Sequence, residues 1–234
     1  VSDLELPAAA YLATLRLADS AFPTGLYTQS NALEAYAISG RVKKAEDVQN
    51  LLEDLLREQL ATSDLIATAW AWQGASQNDG AKVREADAAL EATKLCRELR
   101  ESSRRSGGRL IALMAAQTQD LPLEALASEV RAGHTPGHNS AMTGAVGAVL
   151  GVPLQALLLM EANAFATSFV SAAMRLLPFD HAQAQAVLTA LAPTLVELID
   201  RIPLKHLRDM HSLSPQAEIM SMHHERDHVR LFAS

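Results

Sequence analysis

Near the C-terminus, His224-Glu225-Arg226-Asp227-His228 spells H-E-x-x-H. On a helix that spacing sets two imidazoles one turn apart on one face with a carboxylate beside them, the arrangement with which metalloproteases hold zinc and activate water. Such a site needs a third protein ligand, commonly C-terminal to the motif, as in H-E-x-x-H-x-x-G-x-x-H. Val229 to Ser234 contain no His, Asp or Glu. A third ligand would have to come from upstream, from His206 or His211, in an unusual order. Glu225-x-x-His228 is also half of a di-iron bundle pattern, but that site uses two such pairs and the sequence holds no second. His134 and His138 have ligand-like spacing, yet Pro136 and Gly137 between them prevent a regular helix from aligning the rings, and the stretch reads as a polar loop.

Other chemistries leave less trace. No G-x-x-x-x-G-K-[ST] occurs, so any nucleotide in the function belongs to a partner. The lone Cys96 cannot form an internal disulfide and reads as a small buried residue. A net charge of −7 with no long basic run argues against nucleic acid as a partner. The N-terminal VSDLELPAAAYLATL has no basic region before an apolar stretch, which leads to the expectation of a cytoplasmic protein.

The elements that must position these groups are helical. Hydrophobic residues make up 49% of the 234 positions and aromatic ones only 4%, which favours Ala- and Leu-rich helices packed closely. We expect an all-α fold: a single compact multi-helix domain over 1–210, followed by a C-terminal tail over 211–234 that orders on binding a partner. Helices are expected over 8–18, from Tyr27 to Ile38, over an amphipathic stretch bearing Val48, Leu51, Leu52, Leu55, Leu56 and Leu60, and after a cap at Ser63 or Asp64. Further helices are expected over 81–102, 108–117, 122–132, 139–150, 153–176 and 180–200, with Gly107-Gly108 as a break and Asp120 with Pro122 as a start. Between Thr135 and Met160 the sole potentially charged side chain is His138, a stretch that invites a membrane reading. Gly144, Gly147, Gly151 and Pro153 interrupt it, and two buried core helices are expected instead, with no membrane partner.

Both ends of the chain carry a resemblance. LRLADSAFPTGLYTQSNALE resembles the signature D/S-x-x-x-P-x-G-x-x-x-x-S-x-x-L-E of the urease accessory protein UreF family, through Asp19, Ser20, Pro23, Gly25, Ser30, Leu33 and Glu34. The tail is similar to the family's S-M-R-H-E-x-x-x-x-R-L-F-x-S, through Ser221, Met222, His224, Glu225, Arg230, Leu231, Phe232 and Ser234. Arg100 to Arg109 resembles an R-x-x-S…G-R segment and Gly133-His134-Thr135-Pro136 a G-H-x-P loop. Leu26, His223 and the continuation Gly137-His138-Asn139 depart from the usual pattern, and His228 stands where the family more often has tyrosine. The second histidine of H-E-x-x-H is thus peculiar to this chain.

The resemblance implies an all-helical, dimeric, non-enzymatic protein of nickel-dependent urease maturation, without catalytic residues, cofactor or resident metal. Its implied partners are the UreD/UreH scaffold protein, the GTPase UreG, apo-urease and a second copy of itself. The implied partner-binding residues are Asp19, Ser20, Pro23, Gly25, Tyr27, Ser30 and Glu34 near the N-terminus, the last three as a surface that helps dock the GTPase. At the C-terminus they are His224, Glu225, Arg230, Leu231, Phe232 and Ser234. A zinc hydrolase using the C-terminal motif and a generic helical dimerisation adaptor are the competing readings.

Overall fold

Val48, Leu52 and Leu55 recur on one face of an 11-residue helix whose first turn carries Glu46 and Asp47, carboxylates that complement the helix dipole. This is α3 (Ala45–Leu55), and in the computed structural model, which describes residues 6–19, 22–23, 32–212 and 214–224, that face lies in the core. The other elements are α1 (Ala8–Ala18), α2 (Leu33–Ile38), α4 (Leu65–Ser76), α5 (Gly80–Thr93), α6 (Arg97–Thr118), α7 (Leu121–Ala132), α8 (Asn139–Val149), α9 (Leu154–Leu176), α10 (His181–Arg201) and α11 (Pro215–His224). Two short 3-10 turns, Ile202–Leu204 and Leu207–Asp209, join α10 to α11. No strand occurs among the described residues, so the fold is all-α.

Two expected boundaries fail. No helix starts at Ser63 or Asp64: the chain stays helical from α3 through a π-helical segment, Leu56–Asp64, into α4. The Ser63 hydroxyl donates back to the Gln59 carbonyl, and Asp64 has α-helical backbone angles with its carboxylate free for tertiary contacts. Nor is there a break at Gly107-Gly108, since α6 runs through both. Gly107 is there for proximity: a Cβ at that position would come within 2.2 Å of the Gly137 carbonyl oxygen and 2.6 Å of the Asn139 nitrogen. The helix expected over 81–102 is interrupted instead at 94–96, where Arg100 Nη1 donates to the Lys94 carbonyl and Cys96 is buried.

The centre of the molecule is the contact of α4 with α8, two helices buried nearly all round. Their backbones approach so closely that a Cβ on Gly144 would sit 2.3 Å from the Thr68 carbonyl oxygen. On one side Phe169 of α9 anchors a cluster built from α2, α3, α9, α10 and Ala217 of α11. On the other, Ile111 and Met142 centre a cluster of α5, α6, α7 and α8. α1 packs through Ala10 and Ala13 on the start of α9.

α9 and α10 are long and apolar enough to cross a membrane by length and composition. Here α9 is used in the core, with Leu157, Leu158, Ala166 and Phe169 fully buried. α10 turns Ala184, Val187, Leu191, Leu195 and Ile199 inward and Gln185, Thr189 and Glu197 outward, the stripe of a surface helix. The expected interruption lies between α8 and α9, where Gly151 is left-handed at φ +67° and Pro153 precedes the first residue of α9.

Candidate functional site

The residues picked out at the two ends meet different fates. Asp19 follows α1 in extended conformation, exposed, and its carbonyl accepts from Phe22 N–H; Pro23 is exposed just beyond. Glu34 lies in the first turn of α2 with 3% exposure, so the docking surface expected of it is not offered at this position, although a carboxylate there still favours the helix dipole. His224 is the last residue of α11. Ser20, Gly25, Tyr27, Ser30, Glu225, Arg230, Leu231, Phe232 and Ser234 lie outside the described residues. So does His228, the second half of H-E-x-x-H. α11 itself occupies part of the expected tail over 211–234, and it buries Ala217.

The structure joins the two middle segments. The loop after α7 is tied down by Asp87 of α5, which accepts from the Thr135 hydroxyl and from Gly137 N–H at one oxygen and from His138 N–H at the other, each at 2.7 Å. One turn further along α5, Glu91 accepts from His138 Nε2 at 2.7 Å and is clasped by Arg104, with Arg100 3.6 Å away. His138 is fully buried; that burial, reinforced by Lys94, holds the imidazole below its usual range, so it is neutral and donates through Nε2. Ser103 on α6 accepts from Asn139 N–H, and Gly107 abuts the same backbone. Arg100–Arg109 and Gly133–His138, some thirty residues apart in sequence, form one locked corner. Of the two loop histidines, His134 is exposed and His138 is built into the core.

Beside that corner lies a cavity of about 240 Å³, between the end of α1, the π-helical segment, α6, α8 and α9. Lys94 Nζ reaches in from the α5–α6 connection and bonds both Asp64 oxygens, at 2.8 and 3.0 Å. Ser140 donates to Asp64 Oδ1 at 3.0 Å, and the Ser63 hydroxyl, its one hydrogen shared with the Gln59 carbonyl, lies 3.0 Å from Oδ2. Burial alone would push the Asp64 carboxyl up; Lys94 and the two hydroxyls outweigh it and hold it below the ordinary value. Glu161 of α9 is buried in the same wall and touches Thr68 Oγ1 at 2.6 Å. For this group desolvation wins, and its pKa is pushed up to about 7.

Sequence reasoning missed Asp64, Asp87, Glu91, Lys94 and Glu161 as functional positions. A signal existed for two. Asp87 stands in the apolar stripe Val83, Ala86, Leu90 of α5, and Glu161 is the one charge interrupting a long uncharged run. Among the described residues no group of three or more His, Cys, Asp or Glu side chains is placed to hold a metal ion.

Comparison with known proteins fixes the family. The profile described as UreF matches residues 42–192, which covers the locked corner and the cavity's polar wall. The protein named urease accessory protein UreF from Paenarthrobacter aurescens is 33% identical over 223 residues, 95% of this chain and 97% of the relative. Those of Arthrobacter sp. strain FB24 and Trichodesmium erythraeum are 32% and 30% identical over the same length, covering 96% of each relative. The helical architecture, the paired terminal motifs and likeness along almost the full length agree: the chain belongs to the UreF family of urease accessory proteins.

Proposed function

We propose that this chain is a non-enzymatic cytoplasmic helper in nickel insertion into apo-urease, without a cofactor of its own. In this reading it binds the UreD/UreH scaffold protein and recruits or regulates the GTPase UreG, so that nucleotide hydrolysis on the partner controls delivery of the metal. The observation that carries the reading is the near full-length likeness to proteins named urease accessory protein UreF.

The C-terminal residues supply the grip. Leu231 and Phe232 are apolar anchors, and Arg230 can pair with a carboxylate or a carbonyl; such anchor-plus-arginine sets dominate binding energy at interfaces. α11, held to the body by Ala217, ends at His224, immediately before this segment in the sequence. His224, Glu225 and Ser234 flank the anchors, and the segment orders on the scaffold protein, giving up chain entropy for contact area. Asp19, Ser20, Pro23, Gly25, Tyr27 and Ser30 serve the GTPase side, with Glu34 acting from the first turn of α2.

A homodimer fits the same reading. Tyr11, Leu12 and Leu15 of α1 are 53%, 59% and 50% exposed, an apolar stripe on the face opposite Ala10 and Ala13.

The test is reconstitution. Purified chain should retain UreD/UreH in a pull-down, and that complex should then retain UreG and alter its GTP hydrolysis. Removal of 225–234 should weaken scaffold binding at least tenfold. Full scaffold affinity after that truncation would overturn the docking role, and indifference of the intact chain to all three urease proteins would overturn the whole reading.

A further inference from the structure

The cavity of about 240 Å³ is bordered on α9 by small side chains, Ala164, Ser168 and Ser171, spaced to share one face of that helix. Protein interiors are otherwise close-packed, so a void of this volume is the exception. An apolar cavity of about 150 Å³ accepts benzene, and this one has room for a body of about eight to ten non-hydrogen atoms. Leu17, Phe22, Leu60, Leu99, Leu110 and Phe165 make much of its wall apolar.

The charged groups in that wall are already engaged. Asp64 faces Lys94 at 2.8 and 3.0 Å, and Glu161 is buried with Oε2 against the Thr68 hydroxyl. Asp19 is exposed at the end of α1 and has an interaction of its own. The groups left over are neutral. Thr143 of α8 is 6% exposed and lines the cavity, and its hydroxyl has no hydrogen-bond partner among the described residues. Thr62, Thr68, Thr118 and Thr189 each return their hydroxyl to the carbonyl four residues back, and Thr143 does not. Nor is its oxygen sealed inside protein, as the unpartnered His138 Nδ1 and Asn139 Oδ1 are. Gln59, half-buried in the same wall, likewise has a side-chain amide without a hydrogen bond among the described residues. A hydroxyl and an amide each donate and accept, and leaving them unpaired beside an apolar wall costs free energy that a ligand can recover. Gln59 and Leu60 reach the lining from the π-helical segment Leu56–Asp64, a departure from regular helix that is frequent at functional sites.

We infer that the cavity is a binding site for a small uncharged molecule that joins a hydroxyl or primary amide to a hydrocarbon body. The polar group exchanges hydrogen bonds with Thr143, and the hydrocarbon lies against the apolar wall. An ion of either sign would leave water for a wall whose free groups are neutral, and burying a charge without a counter-charge costs far more than burying a hydroxyl that is paired. The site does not depend on which urease proteins the chain binds.

The experiment titrates the full chain with benzyl alcohol, toluene, benzylammonium and benzoate, followed by amide NMR. The expected result is saturable binding of benzyl alcohol at a single site, with shifts centred on Leu60, Thr143 and Ala164. The two ions should bind about tenfold more weakly or not at all. Thr143→Val keeps the shape of the side chain and removes the hydroxyl. It should weaken benzyl alcohol roughly fivefold, the worth of one net hydrogen bond, and leave toluene within about twofold. Ala164→Leu, which fills the cavity from α9, should abolish binding of both in a folded protein. Because the Thr143→Val test compares two ligands on one protein, it decides the matter even if Ala164→Leu fails to fold. Absence of saturable benzyl alcohol binding, either ion binding as tightly, equal effects of Thr143→Val on benzyl alcohol and toluene, or shifts centred on Leu12 and Leu15 of α1 would each overturn the proposal.

Discussion

Thr68 Oγ1 and Glu161 Oε2 lie 2.6 Å apart across the α4–α9 contact, both side chains buried, although 93 positions separate them in the chain. Burial moves the Glu161 pKa from an ordinary 4.5 up to about 7. Between those values the folded chain holds a proton that the unfolded chain has released, so stability falls as pH rises through that window and levels off above it. The total is roughly 3 kcal/mol. Glu161→Gln should therefore be flat where the wild type declines, and should gain relative stability from pH 5 to pH 8. Urea midpoints across that range check it; parallel profiles would show that Glu161 titrates like an exposed carboxylate.

Lys94 and Asp64 should behave as a pair. Lys94→Met leaves the Asp64 carboxylate buried without its cation, which typically costs about 3–5 kcal/mol. Adding Asp64→Asn removes the stranded charge and should recover a large part of that loss. Because Asp64 is held below 3.8, the pair contributes fully above that pH and fades as pH falls beneath it. Equal losses in the single and double variants, measured by urea denaturation at neutral pH, would contradict the coupling.

Two adjacent glycines in α6 should respond oppositely to alanine. At Gly107 the new methyl would meet the backbone at 137–139 well inside contact distance, and a loss of about 2 kcal/mol or more is expected. At Gly108 the nearest neighbour is Val130 Cγ1 at 3.8 Å, so helix propensity decides and Gly108→Ala should gain up to about 1 kcal/mol. Melting temperatures of the two variants separate proximity from propensity.

The apolar stripe on α1 gives the proposed homodimer a direct test. Leu12 and Leu15 contribute little to their own fold, being 59% and 50% exposed. Leu12→Glu with Leu15→Glu should leave the melting transition of the monomer almost unchanged and drive a dimer to monomer in light scattering. A dimer that survives both charges would place its interface elsewhere.

Much of the fold was legible because its signals are local. Asp120 accepts from Leu123 N–H at the start of α7, with Pro122 in the first turn, and Asp180 forms a reciprocal capping box with Gln183 before α10. The failures share a cause. Gly107-Gly108 carries the letters of a break, yet in a helix interior glycine also permits contact between backbones, and its neighbour at 137–139 is distant in sequence. Ser63 and Asp64 carry the letters of a cap, yet Asp64 is held by Lys94 from the α5–α6 connection and by Ser140 of α8.

By itself, then, the sequence determined the helical class, most helix ends, the segments to be buried and, through motifs at both termini, the family. Period, capping and composition act within one or two turns of the chain, so they can be read without its path. Only the tertiary structure decided that Glu34 and His138 are buried, that Asp87 and Glu91 lock the loop, and that Asp64, Lys94 and Glu161 share a cavity wall. Burial and pairing depend on which helices meet, and that sets whether a carboxyl keeps its charge, as Asp64 does beside Lys94, or holds a proton up to about pH 7, as Glu161 does.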